Sequence, residues 1–189
     1  MTGPDWATKP TIVGERVTLR PFRAGDAELM HACFDEEAIR LTGSAHSTAE
    51  ARRVIGDGPD DRTRQWYATR NEQTARLDLA VEDGSGTFVG EVVLNDWHPG
   101  NHACGFRILL GPHGRGRGLG TEATRLVLDH AFEVLGLHRV ELECYAFNPR
   151  AAAAYRRAGF VAEGRRRDAL LYDGEWIDAI VMAVVATDR

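Results

Sequence analysis

The residues with the clearest chemical meaning are the four glycines of the segment GRGRGLGT, residues 114–121. Glycines at alternate positions leave the backbone amides of this segment uncovered. The segment directly precedes the strongest helical pattern in the chain, and a helix start adds a partial positive charge. We therefore interpret residues 114–121, called the glycine loop below, as a phosphate-binding loop. The alternative is a glycine-rich surface loop with solvated arginines.

Two other nucleotide-binding loops fit this segment poorly. The P-loop requires Gly-Lys-Ser/Thr after its spacer, and the segment contains no lysine. The dinucleotide-binding fingerprint needs GxGxxG after a buried parallel strand, with an acidic residue about 20 positions further on. Here the glycines alternate, and the preceding strand is predicted to belong to an antiparallel meander.

A second feature is Asn148, which precedes a proline and a short alanine-rich run that ends at Gly159. Asn-Pro is typical of a helix start, because asparagine can cap the helix and proline suits its first position. Gly159 is placed to end the same helix in a left-handed conformation. The Asn148 side chain therefore has a structural interpretation as a cap, beside any role in binding.

The elements that must position these residues follow from hydrophobic patterns. Strands are predicted from alternating apolar residues bounded by turn residues, over residues 16–22, 76–82, 87–97, 102–110, 138–147, 160–167 and 176–185. Helices are predicted from apolar residues at helical spacing, over residues 26–40, 48–73, 118–135 and 149–158, the second interrupted at 56–61.

The order of these elements predicts an α/β fold with a mixed, mostly antiparallel twisted sheet flanked by helices. The three strands over residues 76–110 should form an antiparallel meander. The strand–helix–strand unit over residues 103–147 should pair in parallel through a right-handed crossover. Residues 1–14 lack apolar periodicity and are expected to form a flexible arm before a single domain over residues 15–189.

Composition is typical of a globular protein, which we expect in the cytoplasm. Hydrophobic residues make up 43% of the 189 residues, and no apolar run approaches the roughly 18 residues of a membrane span. The formal net charge is −5, with the acidic excess in the first 110 residues, which disfavours nucleic-acid binding. The cysteines and histidines lack metal-ligand spacing, so no metal is expected.

With its loop, strands and helices in this order, the sequence resembles the GNAT acetyltransferase superfamily, whose cofactor loop follows Arg/Gln-x-x-Gly-x-Gly/Ala. Arg115, Gly118 and Gly120 match that pattern. Three further features match in order and spacing: the strand end LLGP at 109–112, Asn148 before a short helix, and Tyr155 within it. Together they are far more specific than the loop pattern alone.

Within the superfamily, the sequence looks most like the RimJ/RimL-like branch, which acetylates N-terminal alanine or serine of ribosomal proteins. The shared residues are TEA at 121–123, GF at 159–160, EG at 163–164 and GxWxD at 174–178. The resemblance covers nearly the whole domain and weakens over residues 41–75.

The resemblance implies that acetyl-CoA is the co-substrate. Its pyrophosphate should accept hydrogen bonds from the amides of the glycine loop, while the backbone of the preceding strand end and Asn148 should contact the pantetheine. The implied binding residues are Leu109, Leu110, Arg115, Gly116, Arg117, Gly118, Leu119, Gly120, Thr121 and Asn148.

The resemblance also implies catalytic roles. Tyr155 should act as the general acid towards the CoA sulfur, because a phenol with a pKa of about 10 is protonated at neutral pH. The alternative is an aromatic side chain that only packs under the sheet. The backbone amide near Leu109 is the expected oxyanion donor.

The general base is less clearly indicated. Related enzymes often have a glutamate in the strand before the cofactor loop, but this chain reads ACGF at 103–106. Glu143, on the polar side of its strand, is the first candidate. The alternatives are Glu141, Asp96 and His98.

The implied reaction is acetyl transfer to a primary amine, with a protein N-terminal α-amine favoured. Such an amine, with a pKa of about 8, is already partly neutral at physiological pH and suits a site without an obvious base. The alternatives are a small-molecule amine (an amino acid, polyamine or aminoglycoside) and a catalytically silent CoA-binding regulatory module. A homodimer through Trp176 and the closing strands is also expected.

Overall fold

The computed structural model describes residues 3–189, and its centre is one sheet with the strand order β1-β2-β3-β4-β5-β6-β8-β7. The strands are β1 (Ile12–Val13), β2 (Val17–Arg20), β3 (Leu77–Asp83), β4 (Phe88–His98), β5 (Ala103–Leu110), β6 (Arg139–Tyr145), β7 (Val161–Tyr172) and β8 (Glu175–Val185). The flanking helices are α1 (Asp26–His31), α2 (Glu36–Thr42), α3 (Thr48–Ile55), α4 (Asp61–Ala68), α5 (Leu119–Asp129) and α6 (Pro149–Ala158). The predicted α/β fold class is confirmed.

The predicted pairing of the central strands is confirmed as well. Strands β3, β4 and β5 form the antiparallel meander, and β5 pairs in parallel with β6 after the α5 crossover. The last hairpin places its second strand, β8, between β6 and β7. Strand β7 extends past the predicted end at residue 167, because its last residues pair with β8 beyond a bulge at Asp168.

Strands β5 and β6 pair over a short stretch only. Their register joins Ala103–Gly105 to Arg139–Glu141. Beyond those residues β5 stays paired with β4, and β6 stays paired with β8. The two halves of the sheet therefore separate and leave a gap between the ends of β5 and β6, called the wedge below.

The helix predicted over residues 26–40 is two helices in the structure. Asp35 interrupts it, because its carboxylate accepts a hydrogen bond from the Ala38 amide at 2.7 Å and caps the start of α2. Helix α2 ends at Gly43, which has a φ of 67°. A Cβ at that position would collide with the ring of Tyr145, so the close approach of α2 to the end of β6 depends on a glycine.

The predicted interruption of the next helical stretch is confirmed. Ser47 caps α3 by accepting a hydrogen bond from the Glu50 amide at 3.1 Å, and Asp60 caps α4 by accepting one from the Thr63 amide at 2.7 Å. Each helix has only eight residues, so both depend on packing against the sheet for most of their stability.

Trp6 and Lys9 are packed against the domain, where the sequence predicted a flexible arm over residues 1–14; residues 1 and 2 of that arm lie outside the described residues. Trp6 is 4% exposed and lies against Trp97, with the ring centroids 5.7 Å apart. The Lys9 ammonium donates to the backbone carbonyls of Gln73 at 2.6 Å and Arg76 at 2.8 Å. Single anchors of this kind have no period for a sequence pattern to detect.

Helix α5 covers the main core cluster with one buried face, formed by Leu119, Ala123 and Val127. The predicted helix over 118–135 continues beyond α5 as a π-helical turn over His130–Val134, and Gly136 follows with a φ of 66°. Within residues 3–189, no helix has both the length and the apolar character that crossing a bilayer requires.

Candidate functional site

An open cavity of about 760 Å³ occupies the wedge. Its walls come from β5, the glycine loop, the end of β6, the first turns of α6 and helix α2. Since strand separation exposes backbone groups that a sheet would otherwise pair, the wedge combines apolar surface with free hydrogen-bonding groups. Most of the sequence-predicted site residues line this one cavity.

The glycine loop forms the turn between β5 and α5. Gly116 and Gly118 have φ values of 76° and 80°, which residues with a side chain rarely adopt, and Gly118 immediately precedes α5. No backbone carbonyl of residues 3–189 accepts a hydrogen bond from the amides of residues 116–121. These amides, together with the dipole of α5, are available to an anion.

Both arginines of the loop are engaged by carboxylates. Arg115 donates to Asp35 and Glu37 at the start of α2. Arg117 donates to Asp83 at 2.8 Å and to the His113 carbonyl at 3.0 Å. Hydrogen bonds from Ser85 and Arg117 hold the pKa of the Asp83 carboxyl well below its ordinary value.

Arg150, at the start of α6, is a loop neighbour that the sequence analysis did not single out. A terminal nitrogen of its guanidinium lies 3.3 Å from where a Cβ of Gly116 would be, and Arg150 lines the cavity. Its side chain is exposed. The sequence signal was an arginine directly after the Asn148-Pro149 helix start, but its proximity to the glycine loop depends on how α6 packs against α5.

The strand end at Leu109 and Leu110 lines the cavity as predicted. One edge of β5 pairs with β4 as far as Leu110, whereas the other edge is paired with β6 only through Gly105. The backbone groups on that second edge, between Phe106 and Leu110, therefore face the wedge. They can bind an extended chain containing amides in the manner of an added strand.

Asn148 caps α6, and it also lines the cavity. Its side-chain oxygen accepts a hydrogen bond from the Ala151 amide at 3.0 Å, which is the capping interpretation of the sequence. That bond uses the oxygen and leaves the side-chain NH₂ to other partners. Capping and a contact with a bound molecule are therefore compatible.

Tyr155 lies on α6 with its ring between two phenylalanines. The ring is perpendicular to Phe106, with centroids 6.1 Å apart, and meets Phe160 edge-on at 5.9 Å. Burial raises the pKa of the Tyr155 hydroxyl well above its ordinary value. The residue lines the cavity and carries a phenol that retains its proton at neutral pH.

Glu143 lines the cavity from the end of β6, where its carboxylate is ion-paired with Arg166 of β7. The other carboxylates considered for the base role do not line it. Glu141 accepts a hydrogen bond from Arg139 at 2.9 Å, and Asp96 accepts one from the Asn95 side chain at 2.8 Å. His98, at the end of β4, also lies outside the cavity.

A buried ion cluster that joins β3 and β4 is a further feature that sequence reasoning missed. Arg70 lies between the carboxylates of Asp78, at 3.0 Å, and Glu91, at 2.5 Å. Burial raises the pKa of Glu91, partly offset by Arg70. Glu91 pairs in register with Leu109 of β5, but it does not line the cavity, so the cluster lies outside the site.

Comparison with known proteins shows the family of the chain. The family described as "Acetyltransferase (GNAT) domain" matches residues 16–161. The chain belongs to the GNAT acetyltransferase family. As a member, it is an acetyl-CoA-dependent N-acetyltransferase, with acetyl-CoA as the co-substrate.

The relatives of this chain include proteins named for different acceptors. The spermidine N(1)-acetyltransferase of Escherichia coli K12 is 31% identical over 169 residues, covering 89% of this chain and 85% of the relative. The putative ribosomal N-acetyltransferase YdaF of Bacillus subtilis is 28% identical over 180 residues, covering 92% and 93%.

Among solved structures, spermidine N-acetyltransferase from Vibrio cholerae in complex with CoA and spermine superimposes with a TM-score of 0.72. The alignment covers 91% of this chain and 96% of that one at 22% identity. At this level of identity the likeness shows that the two proteins share the GNAT fold.

Proposed function

We propose that this GNAT enzyme transfers the acetyl group of acetyl-CoA to a primary amine of a linear polyamine such as spermidine. The observation that supports the choice of acceptor is the 31% identity to the E. coli spermidine N(1)-acetyltransferase over 89% of the chain. The cavity walls include the carboxylates of Glu37 and Glu143, which suit a cationic acceptor.

Each part of acetyl-CoA, the acetyl donor, has its own binding groups in the wedge. The pyrophosphate of acetyl-CoA is bound by the free amides of residues 116–121 and by the Arg150 guanidinium, since both offer hydrogen-bond donors and positive charge. The pantetheine amides pair with the open edge of β5 at Leu109 and Leu110 and with the side chain of Asn148. This placement puts the thioester near Tyr155.

Acetyl transfer forms a C–N bond and breaks the C–S bond, so the departing sulfur must be protonated and the amine must lose a proton. Tyr155 donates a proton to the sulfur, because its raised pKa keeps the phenol protonated. A backbone amide near Leu109 stabilises the negative charge that develops on the acetyl oxygen.

Glu143 accepts the proton of the amine, directly or through a water molecule. It lies on the β6 side of the wedge, while the cofactor loop lies on the β5 side, so an amine between them meets both. Its ion pair with Arg166 is between exposed side chains and costs little to exchange for an ammonium group.

The test is a panel of amines with purified enzyme and acetyl-CoA, monitored by release of the CoA thiol and by mass spectrometry of the product. Spermidine and spermine are compared with peptides carrying N-terminal alanine or serine and with free amino acids. We expect the polyamines to have the highest kcat/KM. If none of these amines causes release of the CoA thiol, the protein would instead be a CoA-binding module without transferase activity on these classes.

A second candidate acceptor is a protein N-terminal α-amine. It is supported by the 28% identity to the putative ribosomal N-acetyltransferase over 92% of the chain. It is also supported by the ion pairs of Glu37 and Glu143 with arginines, which reduce the negative charge offered to a polycation. A kcat/KM for the alanine or serine peptide that exceeds the spermidine value would favour this acceptor.

A further inference from the structure

The side chain of Arg115 joins the glycine loop to helix α2. One terminal nitrogen donates to Asp35 and the other to Glu37, and the side chain is only 16% exposed. Both carboxylates belong to the start of α2. The guanidinium nitrogens of Arg115 that a phosphate would bind are therefore already bound to carboxylates of α2.

Asp35 ties this contact directly to the helix. One of its carboxylate oxygens caps α2 by accepting from the Ala38 amide at 2.7 Å, and the other accepts from Arg115. A single carboxylate thus starts the helix and attaches it to the glycine loop. Any movement of the Arg115 side chain away from Asp35 releases the N-terminal end of α2.

The other end of α2 is held on the far side of the wedge. Gly43 packs against the ring of Tyr145, and the Arg40 guanidinium lies 4.6 Å from the ring centroid of Phe147. Between these two attachments, α2 contributes Ala38 and Leu41 to the cavity wall. The helix therefore crosses the open side of the wedge from the glycine loop to the end of β6.

We propose that Arg115 is a positioning residue for the amine acceptor, acting through α2, and not a ligand of the cofactor phosphates. The proposal rests on the placement of the transfer reaction in this cavity. The phosphates have other donors in the amides of residues 116–121 and in Arg150. Releasing α2 moves the part of the cavity wall that contains Glu37, while the amides of residues 116–121 and Arg150 stay in place. Binding of the amine is therefore affected, and binding of acetyl-CoA is not.

The first test is Arg115→Met, which keeps the apolar stem and removes both ion pairs. The KM for spermidine, or for the N-terminal peptide if the panel selects it, should rise about 10-fold, as expected for groups coupled through one network. The Kd for acetyl-CoA, measured by calorimetry, should change by less than about 3-fold. The matched control is Arg52→Met, which removes the 2.7 Å ion pair between α3 and Glu36 of α2 but leaves the glycine loop contact intact.

The second test separates the ion pair from the helix cap. Asp35→Asn preserves capping, since asparagine caps as well as aspartate, and removes the charge that Arg115 binds. Because Arg115 also binds Glu37, the full test is the Asp35→Asn/Glu37→Gln enzyme, to whose KM Arg115→Met should add little. Additive effects of Arg115→Met and this pair of substitutions, or an acetyl-CoA Kd raised about 10-fold with an unchanged amine KM, would overturn the proposal.

A third measurement does not depend on the identity of the acceptor. Hydrogen exchange of the α2 amides should accelerate in Arg115→Met relative to wild type, while exchange in α5 stays unchanged. If no amine in the panel is acetylated, the proposed function fails, yet this exchange experiment still decides the role of Arg115. Unchanged protection of α2 in a folded Arg115→Met protein would contradict the coupling.

Discussion

The hydroxyl of Tyr155 combines two properties that a proton donor to sulfur needs. Tyr155 lines the cavity, and its ring is fixed between Phe106 and Phe160. Burial raises its pKa, so ionisation is displaced above the ordinary tyrosine range. Because deprotonation is what removes a general acid, this displacement extends the active range on the alkaline side.

Tyr155→Phe removes only the hydroxyl oxygen and keeps the ring contacts. We expect kcat to fall by about 10²–10⁴-fold, the usual contribution of proton transfer, with little change in acetyl-CoA affinity. The measurement is single-turnover kinetics with the best amine. Tyr172→Phe is the control, since that hydroxyl lies 3.4 Å from Thr48 and away from the cavity. Near-normal kcat in the Tyr155 variant would make the residue a packing residue.

Gly118→Glu tests the glycine loop at the residue scale. The glutamate places a negative charge at the anion site, but it also forces a side chain into a backbone with a φ of 80°. Gly118→Asn is the matched control, because asparagine tolerates this conformation and adds no charge. We expect calorimetry to show acetyl-CoA binding lost in the glutamate variant and retained in the asparagine variant. If both folded variants bind acetyl-CoA with equal affinity, the phosphates do not bind at this loop.

The sequence predicts the roles of some residues in this site but not of others. Most of the glycine loop lines a common cavity with Leu109, Asn148 and Tyr155, because their roles depend on local backbone geometry that leaves a local pattern; the predicted binding residues Arg117 and Leu119 do not line it, since one pairs with Asp83 and the other is buried in the core. The partners of Arg115 could not be predicted. They depend on where α2 lies in three dimensions, and nothing in the spacing between residues 35 and 115 encodes that position.

At the scale of elements, helix α2 can pack against the Tyr145 ring only because it ends in a glycine. Gly43 has a φ of 67°, and a Cβ there would strike the Tyr145 ring. Both the strain of the left-handed backbone and the collision oppose any larger residue. The sequence pattern predicted one long helix here, since apolar spacing continues through the break and the capping role of Asp35 is visible only in the structure.

Gly43→Ala should therefore lower the free energy of unfolding by about 2–4 kcal/mol. Gly136→Ala is the matched control, because Gly136 has a similar φ of 66° but open space where the Cβ would lie. It should cost only the backbone strain, about 1–2 kcal/mol. Urea denaturation measures both values. Equal losses in the two variants would show that Tyr145 moves aside at no cost.

At the scale of the whole molecule, the two edges of the sheet are unequal. Strand β1 has two residues, whereas β7 has twelve and an outer edge with no strand partner among residues 3–189. Leu171 and Trp176 pair across the closing hairpin and are 38% and 61% exposed. A long open edge beside an exposed apolar pair is typical of an interaction surface.

We expect this surface to support a homodimer. Sedimentation at tens of micromolar should give twice the monomer mass, and Trp176→Ser should shift the protein towards the monomer. Val134→Ser is the control, since Val134 is 69% exposed but lies on the π-helical turn away from the hairpin. A wild-type protein that sediments as a monomer under these conditions would contradict the expectation.

The short pairing of β5 with β6 has a consequence for folding cooperativity. Three residue pairs are the sheet's own connection between its first five strands and its last three. A molecule seated in the wedge touches both halves and binds only when they are assembled, so its binding free energy adds to the free energy that holds them together. By linkage, this amounts to about 2.7 kcal/mol at a ligand concentration of 100 times Kd. The fraction of folded enzyme therefore increases with the concentration of acetyl-CoA. Its resistance to proteases that attack the separated halves increases in the same way.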